Sequence, residues 1–296
     1  MSWNNDNIPN QAGRTFVVTG ANVGIGFATV RALAANGAKV VLASRNLEKG
    51  NMALAKICKI HPSADVRVEA LDLASLASVK AFADRFASAN QRLDVLINNA
   101  GVAMPPQGKT EEGFETQFGT NVIGHFALTG HLLPLLLTTA RSRVVTLSSS
   151  AHWFAKIDFD NLNAERYYDK TKAYGQSKLA DLMIAYEMQR RFAISGAATI
   201  SIGVHPGVVM SELFRYSKAF DFLLGLISQN IEEGAWPSLM AAVDPSVKGG
   251  DFVGPGGFLT IKGSPTVQKS SALSHDLAIA SRLWEVAQEM SGVRYL

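Results

Sequence analysis

Two hydrophobic periods alternate along the chain. After a polar tail over residues 1–13, short β-branched runs recur at RTFVVTG (14–20), AKVVLAS (38–44), VRVEALD (66–72), LDVLINN (93–99), RVVTLSS (143–149) and ATISIGVH (198–205). Their near-continuous apolar character predicts strands buried on both faces of a parallel sheet. Helical spacing fills the intervals 25–36, 47–60, 75–89, 111–138 and 173–194. The alternation predicts an α/β fold: a single-domain, doubly wound parallel sheet with helices on both faces.

Beyond the sixth run, residues 208–243 hold apolar helical segments broken by Gly225, Gly234 and Pro237. This stretch is expected to cover a substrate. GGDFVGPGGF (249–258) is turn-rich around a last strand, and 272–291 reads as an exposed amphipathic helix carrying Leu277, Leu283, Trp284 and Val286. With no linker or internal repeat, one domain over 14–296 is expected. Ligands of a doubly wound sheet bind outside the C-terminal ends of its strands, so chemistry is sought there.

Composition narrows the classes. Hydrophobic residues make up 47% and charged residues 18%, which supplies a large core and excludes wholesale disorder. The net charge of +3 arises from 28 basic and 25 acidic residues with no cluster, so a nucleic-acid partner has no electrostatic footprint. One cysteine, Cys58, excludes an internal disulfide and fits a reducing compartment. With only His61 nearby it makes no metal site and reads as helix packing. MSWNNDNIPNQAGR shows neither the basic segment nor the apolar core of a signal peptide. HLLPLLL and FDFLLGLI fall short of the ~20 residues a membrane span needs. The expectation is a cytoplasmic protein without a membrane span.

The first strand runs into TGANVGIG (19–26) and then a helix. Gly20, Gly24 and Gly26 allow a tight turn and a close approach of backbone to a pyrophosphate, whose charge sits on free N–H groups at the helix start. At the end of the second strand stand Ser44 and Arg45, with Lys49 one turn later. A hydroxyl and a guanidinium suit a ribose 2′-phosphate that a carboxylate would repel, so NADP(H) is expected over NAD(H). Asp72 ends the third strand, as an adenine contact or as the N-cap of the next helix near Ser75. In NNAG (98–101), Asn99, Ala100 and Gly101 let backbone pass close to a flat ligand.

YYDKTKAYGQSK (167–178) holds Tyr-x-x-x-Lys twice, as Tyr168 with Lys172 and Tyr174 with Lys178. Tyrosine ionises near about 10, and a lysine ammonium on the same helical face favours the phenolate needed for proton exchange. On one helix the two pairs would lie about 240° apart, so they cannot serve one site. Small neighbours (Ala173, Gly175, Ser177, Ala180) and a well-supported helix favour Tyr174 and Lys178. Tyr168 and Lys172 then belong to a polar approach, where Asp169 disfavours ionisation of Tyr168. Upstream, a serine of SSSAH can hold a substrate oxygen. Ser149 is separated by strand alternation from Ser148 and Ser150, and either parity remains open on this ground. His152 and Trp153 are expected to shape the pocket wall. No Ser-His-Asp set and no G-x-S-x-G elbow is found.

TGANVGIG, NNAG, SSSAH, YGQSK and HPG stand in the order and spacing of the short-chain dehydrogenase/reductase superfamily. From about Arg14 onward the chain resembles its retinol dehydrogenase-like branch, with SRNLEKG, SSSAH and RLWEVAQEMSGV as the closer likenesses. The resemblance implies a Rossmann-type sheet and a catalytic set of Asn121, Ser149, Tyr174 and Lys178, with Ser150 as the rival serine. It implies cofactor contacts at Gly20, Asn22, Val23, Gly24, Ile25, Gly26, Ser44, Arg45, Lys49, Asp72, Leu73, Asn99, Ala100, Gly101, Tyr174, Lys178, Pro206, Gly207 and Val209. Substrate would meet Ser149, His152, Trp153, Met210 and Phe214, and no metal is implied. The activity implied is NADP(H)-dependent hydride transfer between nicotinamide and an alcohol or carbonyl compound, hydrophobic if the apolar 208–230 stretch covers it. Alternatives are a nucleotide-binding redox regulator without turnover, or an epimerase or dehydratase of the same fold. Relatives pair through the helices of 111–138 and 173–194, which would give a homodimer or homotetramer.

Overall fold

In the computed structural model, which describes residues 2–209, 228–257 and 260–296, the β-branched runs pair into one sheet. Its strands are β1 (Thr15–Thr19), β2 (Lys39–Ser44), β3 (Val66–Ala70), β4 (Val95–Asn98), β5 (Arg143–Leu147), β6 (Ile200–Val204), β7 (Phe252–Pro255) and β8 (Pro265–Gln268). They lie in the order β3-β2-β1-β4-β5-β6-β7-β8. All neighbours run parallel except β8, which pairs antiparallel with β7 at the edge. The strand order reverses between β1 and β4, which opens a crevice at their C-terminal ends. The last strand, expected near 249–258, is β7. β8 was not foreseen: four residues beginning with Pro265 carry no alternating signal, and proline is tolerated at an edge.

Successive side chains of each strand point to opposite faces, and both faces are covered. Phe16, Val18, Val40 and Leu42 cluster with α1 (Gly24–Ala35) and α6 (Ile231–Val243). Val17, Val41, Leu96 and Val144 cluster with α3 (Leu76–Ala89), α4 (Gly124–Thr138) and α5 (Lys170–Ser195). α2 (Leu47–Ile60) closes the first face, and α7 (Leu277–Ser291) backs α4 and α5.

Several boundaries and environments differ from expectation. The helix expected over 111–138 starts later, because the buried Glu115 carboxylate accepts the backbone N–H groups of Gln117 (2.9 Å) and Phe118 (2.8 Å) and caps it there. Its opening turn, Phe118–Ile123, is π-helical and runs on into α4. Phe118–Thr138 is thus one 21-residue helix, long and apolar enough to cross a membrane by length and composition. Counting HLLPLLL alone understated it, since Pro134 sits inside the helix without ending it. In this fold 67% of its most apolar window is buried. α5 begins at Lys170, so Lys172 lies inside it while Tyr168 lies outside; Asp169 is the N-cap.

The described part of the tail, residues 2–13, is docked on the domain. Trp3 and Ile8 are buried, and the Trp3 indole N–H donates to Asp244 at the end of α6 (2.9 Å). Within the 208–243 stretch, residues 210–227 lie outside the described residues and 231–243 form α6. α6 packs on α1 through Ala235 and Leu239, and Arg31 pairs with Glu232 across that contact. α7 is likewise not exposed on its apolar side: Leu283 and Trp284 are fully buried, while Leu277 is exposed. Trp284 meets Phe126 and Tyr295 at ring-centroid distances of 4.9 and 5.0 Å, with the Arg191 guanidinium 4.6 Å from its ring. Trp284→Ala is expected to lower the unfolding free energy by about 3–5 kcal/mol, the usual cost of emptying an aromatic site, as read by denaturant titration.

Candidate active site

The site starts where β1 runs out. Gly20 and Gly24 adopt φ of 63° and 60°, the left-handed region open to glycine. Gly26 lies under the turn, where a Cβ would sit 2.5 Å from Asn99 Nδ2 and 2.8 Å from Gly20 O. No side chain caps the start of α1, so its first N–H groups stay free for an anion. Thr19 fastens this turn to the next strand: its hydroxyl oxygen accepts the N–H groups of Asn99 and Ala100, both at 2.9 Å. Asn99 returns a bond from Nδ2 to Thr19 O (2.7 Å).

The Thr19 hydroxyl lies 2.9 Å from His125 Nε2, and His125 Nδ1 lies 2.8 Å from Asn121 O. A carbonyl can only accept, so Nδ1 carries the proton and Nε2 accepts from Thr19. Burial drives His125 down to about 3, which keeps this neutral tautomer. Its neighbour Asn121 lies just behind the cleft, in the π-helical turn. Its Oδ1 accepts from Val102 N–H (2.8 Å), and its Nδ2 donates to Val102 O and Ser177 Oγ, both at 3.0 Å. Gly101 lies against it: a Cβ there would be 3.4 Å from Asn121 Oδ1 and 3.7 Å from Lys178 Nζ.

At the end of β2, Ser44 is buried and its hydroxyl is shared between Asn22 Oδ1 (3.2 Å) and Asn46 O (3.0 Å), which orders the turn. Arg45 and Lys49 make no ion pair among the described residues. Asp72 does not cap the next helix. Its Oδ1 accepts from Ala74 N–H (2.9 Å), whereas Ser75 is the N-cap of α3, because the chain turns once more before the helix begins.

Tyr174 and Lys178 are both buried side chains of α5 that reach the cleft. Lys178 Nζ donates to Leu147 O and to Asp181 Oδ2, each at 2.9 Å. Burial pulls the ammonium down, but Asp181 and then Tyr174 outweigh it and leave Lys178 raised. Ser148 also lines the cleft, but its hydroxyl is spent on Lys178 O (2.6 Å), which locks β5 to α5. Ser149 faces the cleft; Ser150 does not line it. Ser149 also opens the 3₁₀ turn Ser150–Phe154, accepting from Ala151 N–H (3.2 Å).

His152 does not form the pocket wall. The tight turn aims it inward, where it is buried against Phe252, with Nδ1–H on Ser149 O (2.7 Å) and Nε2 accepting from Ser271 N–H (3.3 Å). It therefore braces Ser149 from behind. Trp153 is 48% and Phe154 95% exposed on the same turn, and neither lines the cleft. Tyr168 is occupied structurally: its hydroxyl donates to Pro105 O (2.8 Å) and accepts from Gln117 Nε2 (3.2 Å). Burial, Glu115 and Asp169 raise it. Lys172 sits over the Tyr167 ring instead, 5.8 Å from its centroid.

After β6, His205 Nδ1 accepts from Gly207 N–H (3.3 Å) and Nε2–H faces Gln268 Oε1 (3.2 Å). Burial lowers His205 to about 4 and preserves that acceptor, holding the Pro206–Gly207 turn in place. Every residue expected to contact cofactor lines a single cleft of ≈ 400 Å³, together with Ser149. Met210 and Phe214 lie outside the described residues. Asn46, Leu71, Val102, Ala103, Thr120 and Leu147 also line the cleft and carry no motif that could have announced them. Asp181 was missed although it had a signal: a lone carboxylate in the apolar run LADLMIAY needs a partner.

Comparison with known proteins gives concordant matches. The family model described as short chain dehydrogenase matches residues 14–220. The chain is 41% identical over 284 residues to human retinol dehydrogenase 11, covering 95% of this chain and 86% of the relative. It is 39% identical over 288 residues to mouse retinol dehydrogenase 12 (96% and 88%) and 36% identical over 294 residues to human polyprenol dehydrogenase (96% and 87%). Among solved structures, an uncharacterized protein of Mycobacterium paratuberculosis superimposes with a TM-score of 0.84 at 37% identity over 100% of both chains. A short chain dehydrogenase of Salmonella enterica gives a TM-score of 0.66 at 25% identity, over 82% of this chain and 95% of that one.

The buried neutral His205 makes stability depend on pH. Unfolded, it takes a proton below about 6.5, but folded only near about 4. Its stabilising contribution is therefore whole above about 6.5 and drains as pH falls, by about 3 kcal/mol at pH 4. In His205→Gln, which keeps an acceptor for Gly207, the stability deficit against wild type should shrink by about that amount between pH 7 and pH 4. Urea unfolding at each pH measures it.

Proposed function

The chain belongs to the short chain dehydrogenase family, and on that premise we propose that it is an NADP(H)-dependent oxidoreductase interconverting an apolar alcohol and its aldehyde or ketone. One observation carries the reading. Ser149, Tyr174 and Lys178 meet the glycine turn and the Pro206–Gly207 turn in one cleft at the C-terminal ends of the parallel strands. When bound, a nicotinamide dinucleotide supplies or accepts the hydride.

The residues present fit such a cofactor. The absence of a Cβ at Gly26 lets the turn close over Asn99, and the uncapped start of α1 offers N–H groups to a pyrophosphate. Asp72 is the one carboxylate lining the cleft among the described residues, and it stands at the end of β3. At the end of β2, Arg45 and Lys49 face the place where a 2′-phosphate would be read, beside the N-terminus of α2. Ser149 would hold the substrate oxygen, and Tyr174 would exchange the proton with it. Lys178 would hold the nicotinamide ribose and steady the phenol. Asn121, hydrogen-bonded to Val102 and Ser177, would keep the wall beside Lys178 in register.

The named relatives act on retinol and polyprenol, two apolar isoprenoid alcohols, which supports an apolar substrate here. A regulator without turnover would have no need of the buried Tyr174–Lys178 pair beside Ser149.

The test is oxidation of NADPH and NADH against a panel of ketones and aldehydes that includes retinaldehyde. NADPH should be consumed with apolar carbonyl compounds and NADH less efficiently. Tyr174→Phe should lose at least about 100-fold in kcat, the lower range for a positioned acid or base. Arg45→Glu should raise KM for NADPH and spare NADH. Equal turnover by Tyr174→Phe, or a wild-type preference for NADH, would refute the corresponding part.

A further inference from the structure

Beyond NNAG the chain runs on as Val102-Ala103-Met104-Pro105, and Val102 and Ala103 line the cleft. These four residues belong to neither helix nor strand, so their backbone polar groups need partners from elsewhere. Side chains of other elements supply them. Asn121 holds Val102 at both its N–H and its carbonyl. The Met104 N–H donates to Gln117 Oε1 (2.8 Å), and the Pro105 carbonyl accepts from the Tyr168 hydroxyl (2.8 Å). Met104 adopts a φ of 51°, a left-handed conformation that a residue with a side chain keeps only where its surroundings impose it.

These ties meet at Gln117. It is fully buried and stands immediately before the π-helical turn that holds Asn121. Its Nε2 donates to Lys170 O (3.0 Å) and to Tyr168 Oη (3.2 Å), so the amide oxygen and both amide protons are used. Lys170 is the first residue of α5, one helical turn ahead of Tyr174. From the same turn the Thr171 hydroxyl points at Met104 Sδ (3.8 Å). Burial raises Tyr168, so its phenol keeps the proton that it gives to Pro105. One amide therefore spans the gap between the segment beside the cleft and the helix that bears Tyr174 and Lys178.

We propose that Gln117 is a positioning residue that sets the spacing between the Val102–Pro105 wall and α5, with Tyr168 as its brace, and so restricts the shape of the carbonyl compound admitted beside Tyr174. This rests on the reading given under Proposed function. A fixed wall can discriminate by steric fit, because closely packed atoms do not yield to an extra branch. A wall freed from its ties can yield, and a displacement of about 1 Å is enough to change which geometries react. The second Tyr-x-x-x-Lys spacing thus supplies a brace for the wall through Tyr168, while proton exchange stays with Tyr174.

Gln117→Met keeps the length of the side chain and removes its hydrogen bonds to Met104, Tyr168 and Lys170. Tyr168→Phe keeps the ring and removes only the bonds of its hydroxyl. The first readout needs no turnover: hydrogen exchange of the Met104 amide in nucleotide-free protein, since Pro105 and Pro106 carry no N–H. Exchange should quicken by about tenfold or more in Gln117→Met and by less in Tyr168→Phe. The second is selectivity with NADPH, as the ratio of kcat/KM for the best unbranched aldehyde between butanal and decanal to that of its isomer branched next to the carbonyl. That ratio should fall at least about fivefold in Gln117→Met, within the range that steric fit to a fixed apolar wall supplies, and less in Tyr168→Phe. A residue that served stability alone would lower the unfolding midpoint and leave the ratio where it was. An unchanged Met104 exchange, or an unchanged ratio, in Gln117→Met overturns the inference. Wild type inert with every carbonyl compound would instead overturn the proposed activity, and this role with it. Should Gln117→Met fail to fold, Tyr168→Phe decides: movement of both readouts supports the inference, and a stationary value of either ends it.

Discussion

The Thr19 hydroxyl is the joint on which the cleft depends. β1 and β4 pair as neighbours, but where the order of a doubly wound sheet reverses the chains leaving the two strands diverge, and strand pairing does not hold the two outgoing loops together. Thr19 accepts the N–H groups of Asn99 and Ala100 and spends its single proton on His125. That third bond requires imidazole with Nε2 unprotonated, which the Asn121 carbonyl on Nδ1 enforces. One small side chain thus ties the glycine turn, the loop after β4 and the π-helical turn before α4. Through Asn121 the connection reaches Val102 and, by Ser177, α5 itself. Each bond is worth about 1 kcal/mol in stability, but leaving any of these buried groups unpaired would cost more.

The cations of the site divide by environment. Lys178 is buried, and burial of an ammonium is tolerable only with good partners, so its direction is fixed by Leu147 and Asp181. Arg45 and Lys49 remain solvated at the opposite end of the cleft, able to meet a phosphate but weakened by salt.

Buried histidines brace the loops around the cleft. His205 holds the Pro206–Gly207 turn by accepting the Gly207 N–H, and His152 holds Ser149 by donating Nδ1–H to its carbonyl while accepting the Ser271 N–H. Both are lowered mainly by burial, so both are neutral at physiological pH. The sequence reading put His152 on the pocket wall because it follows a strand end. The 3₁₀ turn that reverses its direction has no distinctive pattern, and its course is decided by packing on Phe252 and Ser271.

Local periodicity was sufficient for the six β-branched strands and for the helices between them, because each must bury an apolar face of its own period. The glycine turn, the strand-end residues and the place of Tyr174, rather than Tyr168, at the cleft were also legible, since backbone freedom, small neighbours and helix phase are properties of short stretches. β8, the docking of Trp3 and the place of α6 were not. They depend on contacts across long separations, such as Trp3 with Asp244, which no window of sequence contains. The same holds for Asp181: the sequence marked it as a carboxylate in an apolar helix needing a partner, but only the folded helix, packed against β5, set its distance to Lys178 and removed the water that would have screened them. Residue types and order along the chain determined which chemistry was available; tertiary packing decided which of those groups would be buried, neutral or paired, because desolvation is a property of the assembled interior.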